Sequence, residues 1–412
     1  MKEQFYPNPV ITKVPDANLV TNNHLFFKHP KFVFSSNYTR PEVYKMIGPS
    51  RMISFDTKKT KAAIVNTGGL CPGINNVIYE LVNSLENLYD IDTIYGVQNG
   101  FSGIYKEAFL ELNLTSINGI QHEGGSLLGT SREELNTDLV LRQLKKRDIS
   151  QLYVIGGDGS HRAAHEIAKK SKELSVGCVP KTIDNDLPFI DASFGFNTAV
   201  EKACEVINTA YAEISGSNNC VGIVKLMGRD CGWIALHASM GSYNVDVCLI
   251  PEYFVHEVEL TKYIEDKVKS QGHCLVVVAE GVRLGASKDA AVHLRDKFSR
   301  NHHVKYIDPT YIIRGVPANI TDAIYCRSLA QSAVHACMSG YTDFTVGEVD
   351  KTMAILSLED VVKNTNFIQQ NDVMWNRFRL SNLQPTFDAS VDKHNMVVPM
   401  NKKERITRKH ST

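Results

Sequence analysis

The residues best suited to chemistry lie between Gln151 and Pro188, in QLYVIGGDGSHRAAHEIAKKSKELSVGCVPKTIDNDLP. The apolar run Leu152-Tyr153-Val154-Ile155 reads as a buried parallel strand. It ends in Gly156-Gly157-Asp158-Gly159-Ser160, whose glycines permit a sharp turn and a close approach of backbone to a ligand. Ser160 is expected to cap the following helix, whose first N–H groups point at whatever sits above the turn. Residues 176–179 read as a second strand, which delivers Lys181-Thr182-Ile183-Asp184-Asn185-Asp186. In an extended chain alternate side chains share a face, so Thr182, Asp184 and Asp186 are expected to project together. A carboxylate at a helix N-terminus, with two more on an adjacent strand end, suits Mg²⁺, phosphate and a hydroxyl that must lose its proton. Either motif alone also fits an ordinary turn or polar loop; the pair on adjacent strand ends favours chemistry.

The elements that must position these residues follow from periodicity and punctuation. Residues 61–65 form a first buried strand, ending in Thr67-Gly68-Gly69-Leu70-Cys71-Pro72-Gly73. Pro72 is expected in the first turn of a helix whose apolar face is Ile74, Val77, Ile78, Leu81, Val82, Leu85 and Leu88. A strand at 93–97 follows, then the glycine-rich loop 124–132 ending in Arg132, an arginine suited to bidentate phosphate contact. A helix at 138–146 leads back to the central stretch. Strands and helices that alternate, with glycine turns at the strand ends, imply a doubly wound parallel sheet with ligands beyond its carboxyl ends.

Thr198-Ala199-Val200-Glu201 reads as a capping box opening a helix to Ile214, near the start of a second domain. Strands at 221–226, 247–250 and 274–279 follow, the first ending in Met227-Gly228-Arg229-Asp230-Cys231-Gly232-Trp233 and the last at Glu280-Gly281. A helix at 258–268 lies between them. After Lys305-Tyr306-Ile307-Asp308-Pro309-Thr310-Tyr311-Ile312-Ile313-Arg314-Gly315, a helix over 322–339 should return to the first domain, with a last strand at 352–356. Residues 31–34 are β-like, and the tail after Asn395 is mildly basic. The expected division is an N-terminal extension at 1–60, a phosphoryl-donor domain at 61–196, a second domain at 197–315, a return to the first at 316–370 and a C-terminal extension at 371–412.

Composition narrows the classes. A chain of 412 residues favours two domains. Lys+Arg and Asp+Glu both number 45, so no global charge draws it to nucleic acid or membrane. Nine scattered cysteines without a CxxC pair suit a reducing compartment. The first twenty residues lack the apolar core of a signal peptide, and no apolar run approaches the ~20 residues of a membrane span. A cytoplasmic protein is expected. No GxGxxG follows the first strand, which disfavours a nicotinamide enzyme.

With TGGLCPG, GGSLLGTSR, GGDGS, PKTIDND, MGRDCGW, AEG and IDPTYIIRG in that order, the chain resembles the phosphofructokinase family over roughly residues 61–350. The resemblance implies two Rossmann-like α/β domains with the active site in the cleft between them, and Mg²⁺-dependent phosphoryl transfer to the 1-hydroxyl of fructose 6-phosphate. It implies Asp184 as the base, supported by Thr182 and Asp186, with Asp158 holding Mg²⁺. Gly69, Arg132, Gly159, Ser160 and Lys181 would line the donor site, Arg132 also acting on the transferring group. Met227, Gly228, Arg229, Glu280, Lys305, Tyr311 and Arg314 would contact the sugar phosphate. Cys220, Lys305 and Tyr311 depart from the bacterial ATP-dependent pattern, and Lys181 stands where those enzymes have glycine. Gly159 points to ATP as donor, because pyrophosphate users carry aspartate there. The expectation is an ATP-dependent 6-phosphofructokinase, allosteric and a homotetramer or homodimer. A pyrophosphate-dependent enzyme and a non-catalytic regulatory subunit are the alternatives.

Overall fold

The computed structural model describes residues 5–14, 25–27, 43–133, 135–285, 287 and 289–387. The β-like stretch at 31–34 and the basic tail after Asn395 lie outside these residues. The described residues divide into two compact units, one drawn from Met1–Lys202 and Tyr311–Asn366, the other from Ala203–Thr310 and Phe367–Thr412.

The first unit is built on a nine-stranded sheet. Its five central strands, in spatial order Phe344–Val349, Ser175–Pro180, Gln151–Gly156, Lys61–Asn66 and Thr93–Val97, are parallel. Ala62, Ala63, Ile64, Val65 and Leu152 to Ile155 are wholly buried, as near-continuous apolar strands of a covered parallel sheet must be. Parallel neighbours need crossover connections; the helices Asp158–Lys170 and Ile320–Met338 pack against the strands, Thr137–Lys146 against the first of these and Ile74–Asn83 against the second. Antiparallel strands close both margins: Thr352–Ser357, Val43–Met46 and Leu25–Phe27 on one side, Phe109–Glu111 on the other. The register sets Asn66 beside Ile155, and Gly156 beside Pro180, so three strands end level.

The second unit holds four parallel strands in the order Val247–Leu249, His273–Ala279, Cys220–Leu226, His303–Ile307. The fold is therefore mixed α/β with mostly parallel sheets. Sequence periodicity did not reveal the His303–Ile307 strand, an edge with no fully buried residue. It also missed the helices Ala290–Phe298 and Val373–Asn382. Beyond the second of these, the Gln384 amide accepts from Cys248 N (2.8 Å) and donates to Cys248 O (3.0 Å). That pairing satisfies backbone groups an edge strand otherwise leaves open.

Three expected helix starts are corrected. The helix after the first strand begins at Ile74, because Gly73 at φ 95° stands outside helical geometry; Pro72 precedes it. The helix after the central strand begins at Asp158 with extended Gly157 before it, and Ser160 makes no cap. Its hydroxyl instead bonds that of Thr67. Thr198 lies inside the helix Phe196–Ser215, its N–H and hydroxyl both donating to buried Asp322 (2.7 and 2.6 Å). In each case a tertiary partner or a backbone angle outweighed the local capping signal.

Buried His335 on the Ile320–Met338 helix faces Tyr89, with Nδ1 2.7 Å from the phenol oxygen. Burial pushes the imidazole down to about 4 from its ordinary 6.5. The fold holds the ring neutral, so no stability is lost above pH 6.5; as pH falls from 6.5 to 4 the unfolded chain takes up a proton that the buried ring refuses, and about 3 kcal/mol is lost. Urea unfolding between pH 7 and 4 should show His335→Gln losing less stability with acidification than the unmodified chain; equal slopes would refute the assignment.

Candidate active site

The three level strand ends of the first unit gather the donor-side candidates. The turn after Lys61–Asn66 is pinned to its neighbours by Thr67 N donating to Ile155 O (3.0 Å) and Gly68 N to Ser131 O (2.9 Å). The Thr130 hydroxyl donates to Gly68 O, and the Asn66 amide to Gly129 O (2.8 Å), which fixes the loop carrying Arg132. A Cβ added at Gly69 would stand 3.2 Å from a terminal nitrogen of Arg132 and 3.7 Å from one of Arg314. Two guanidinium groups thus flank one glycine, although the sequence reading assigned Arg314 to the sugar phosphate. Arg314 also stacks over Tyr311 at 5.2 Å, and Tyr311 itself is exposed.

Lys181 is buried, and its ammonium donates to Gly69 O. Its backbone N–H reaches Gly156 O (2.9 Å), so one residue ties all three strand ends together. Asp158, the first residue of its helix, pairs with Arg162 one turn on at 2.6 Å. His161 on the same turn donates from Nδ1 to Gly157 O (2.8 Å), and burial lowers its pKa, keeping it neutral.

Gly159 is instructive because nothing in the chain demands glycine there. It has no positive φ, and a Cβ added to it meets no atom within 4 Å. The space above this turn is open.

The Thr182 to Asp186 segment is not the extended strand end expected. The strand stops at Pro180, Asp184 N bonds the Thr182 hydroxyl (3.1 Å), and Asn185 takes φ 53°. Alternation therefore fails, yet the bend still brings the Thr182 hydroxyl to Asp186 at 3.1 Å. Asp184 is buried beside them, 4% exposed. Two residues missed by sequence reasoning hold this bend. The Ser193 hydroxyl donates to Thr182 O (2.6 Å), and Asn366 donates to Asp186 O (2.9 Å) and Asn185 O (3.1 Å). Neither stands at a spacing that a motif could reveal.

In the second unit, the strands Cys220–Leu226 and His273–Ala279 end level, and Glu280 N donates to Leu226 O (2.8 Å). The loop from Met227 turns sharply, with Gly228 at φ 145°, Arg229 at φ 51° and Cys231 N bonded to Gly228 O (2.8 Å). Gly281 is packed so closely that a Cβ would overlap the Arg229 carbonyl. Met227, Gly228, Arg229 and Glu280 are thus brought together. Lys305 is not: it stands beside Gly222, four residues back from Leu226, about 13 Å along the strand. Its ammonium pairs with Glu213 at 2.8 Å. Buried Cys220 has its thiol pKa raised by burial.

Among the described residues no group of three or more His, Cys, Asp or Glu is arranged to cage a metal ion. A lone oxygen donor such as Asp158 beside an open turn fits Mg²⁺, which keeps waters and rides on substrate phosphates. Glycine turns, two arginines and a buried aspartate are the chemical types that phosphoryl transfer requires.

The pattern of the family described as phosphofructokinase matches residues 61–337. The chain belongs to the phosphofructokinase family. It is 39% identical to ATP-dependent 6-phosphofructokinase 7 of Arabidopsis thaliana, covering 94% of this chain and 88% of that protein. Against the ATP-dependent 6-phosphofructokinase of Entamoeba histolytica the identity is 36%, covering 73% and 76%. The solved pyrophosphate-dependent phosphofructokinase of Nitrosospira multiformis superposes with a TM-score of 0.69 at 19% identity, covering 84% of this chain and 98% of that one. At that identity the likeness concerns the phosphofructokinase fold alone.

The two glycines should separate in a stability measurement. Gly281→Ala is expected to destabilise the chain by roughly 1–3 kcal/mol through overpacking. Gly159→Ala should be neutral or stabilising by up to about 1 kcal/mol, as alanine in an open helical turn is. Denaturant unfolding of both variants checks this; comparable losses would show that Gly159 serves the fold.

Proposed function

We propose that this chain is an ATP-dependent 6-phosphofructokinase, transferring the γ-phosphoryl group of ATP to the 1-hydroxyl of fructose 6-phosphate. The observation that carries the reading is the 39% identity across 94% of the chain with a plant ATP-dependent 6-phosphofructokinase. The open turn at Gly159 supports the choice of donor, because a nucleotide needs the space that an aspartate would fill with negative charge.

In this reading Asp184 accepts the proton of the 1-hydroxyl while that oxygen attacks the γ-phosphorus. The bond from phosphorus to the β–γ bridging oxygen breaks and ADP leaves. Thr182 and Asp186 support the bend that aims Asp184. Arg132 and Arg314, both over Gly69, carry charge on the transferring group, a task in which preorganised cations are worth most. Asp158 would hold Mg²⁺, which when bound neutralises donor phosphate charge; Arg162 contacts one oxygen of that carboxylate. Gly159 and Ser160 belong to the donor turn. Met227, Gly228, Arg229 and Glu280 form the sugar side, with Tyr311 as a further contact; Lys305, paired with Glu213 and set back along its strand, stands apart from them.

Lys181 enters differently from the sequence expectation. Expected to line the donor site, it is buried and bonded to Gly69 O. In this reading its role is to hold the glycine turn. The enzyme is further read as a Mg²⁺-dependent cytoplasmic homo-oligomer, a tetramer or dimer, under allosteric control. Among the described residues no helix is long and apolar enough to cross a membrane.

One coupled assay with ATP and pyrophosphate side by side tests the reading. Turnover should require ATP; faster turnover with pyrophosphate would overturn the donor assignment, and none with either would favour a non-catalytic subunit. Asp184→Ser should lower kcat by about 10²–10⁴, the range for losing a positioned base, with sugar binding nearly intact. Near-normal kcat would remove Asp184 from that role. Gly159→Asp should abolish most ATP-dependent activity while the fold persists, and unchanged activity would refute the steric argument.

A further inference from the structure

The Arg229 loop is held in a conformation that its own sequence does not favour. Arg229 at φ 51° lies in the left-handed region, uncommon for a side chain of that size, and persists only where surroundings over-determine it. One constraint is the contact with Gly281 already described. A second comes from Glu252, twenty residues beyond the loop. One carboxylate oxygen of Glu252 accepts from Gly232 N (2.9 Å), the residue before the helix Trp233–Ser242. Gly232 offers no side-chain cap, so this carboxylate supplies the anion that a helix N-terminus favours. The same oxygen accepts from Ile368 N (3.2 Å), and the next residue, Tyr253, donates its hydroxyl to Gln369 O (3.0 Å). Ile368 is buried, 2% exposed. Glu252 therefore joins the Arg229 loop to the segment at 367–369 through one atom.

We infer that Glu252 is a positioning residue for fructose 6-phosphate: it touches no substrate, but fixes the loop that presents Arg229. The inference rests on the reading of Met227 to Arg229 as the sugar side. Loss of the carboxylate frees Gly232 N and Ile368 N together, and the loop relaxes from the left-handed turn. Because Arg229 would contact the sugar in ground and transition states alike, the defect falls on KM and spares kcat. The donor site in the other unit keeps its own hydrogen bonds and is unaffected.

The experiment compares the full chain with Glu252→Ala and Glu252→Gln. In Glu252→Ala the KM for fructose 6-phosphate should rise roughly 10- to 100-fold, the factor set by one hydrogen bond to a charged group. The KM for ATP should stay within about twofold. Glu252→Gln, which keeps an acceptor oxygen at the same place, should recover most of the loss. Hydrogen exchange followed by mass spectrometry over residues 227–236 should quicken in Glu252→Ala, with no change over residues 151–186. Equal shifts in both KM values, or exchange quickened throughout, would reduce Glu252 to a general stability residue and overturn the inference. Unchanged KM and unchanged exchange would overturn it as well. Should the unmodified chain fail to phosphorylate fructose 6-phosphate, the functional reading falls, while local exchange still decides whether Glu252 holds the loop.

Discussion

Register between the parallel strands Lys61–Asn66, Gln151–Gly156 and Ser175–Pro180 governs where the donor-side groups stand. Because the three strands end level, the turn at Gly68-Gly69, the turn at Gly157-Asp158 and the bend from Lys181 share one rim of the sheet. A slip of one residue would invert each strand's side chains and separate the rim. Complete burial of residues such as Val65, Val154 and Val179 opposes such a slip, since it would force a different apolar set against the neighbouring helices. Lys181 reinforces the register chemically, with its N–H on Gly156 and its ammonium on Gly69.

Glycine serves two physically distinct ends in this molecule. At Gly281 the backbone of the Arg229 loop passes so near that no side chain fits. At Gly159 a Cβ would meet no described atom within 4 Å outside its own helix turn, so packing does not require glycine there. A glycine that its own fold does not require is an informative kind of site residue. Polar groups divide similarly. Asp322, pushed up by burial and bonded to Thr198, joins two helices; Asp158, at its helix N-terminus, is partly exposed and pairs with Arg162 one turn on.

The strands were legible because long apolar runs bounded by glycine have few alternatives, and the amphipathic face from Ile74 to Leu85 identifies its helix without tertiary knowledge. Motif order alone carried the family resemblance, and residues 61–337 match that family. What escaped were elements whose signal is not periodic. The His303–Ile307 strand is a half-exposed edge, and the helix at Val373–Asn382 buries only Trp375 and Phe378. Ser193, Asn366 and Glu252 act through single hydrogen bonds to distant backbone, which no spacing rule encodes.

Sequence by itself therefore determined the strongly periodic elements and the chemical types available: a glycine-turn sheet, two arginines, and the Asp158 and Asp184 carboxylates. Periodic burial and backbone-restricted residues are local properties, written wherever the chain places them. Tertiary structure alone decided the geometry at the strand ends. It bent Thr182 to Asp186 through a left-handed Asn185, turned Ser160 from cap to partner of Thr67, set Arg314 beside Arg132 over Gly69, and left Lys305 paired with Glu213. The physical reason is that a loop's conformation follows from whichever distant donors and acceptors come within about 3 Å of it, and those partners are defined only once the sheet has formed.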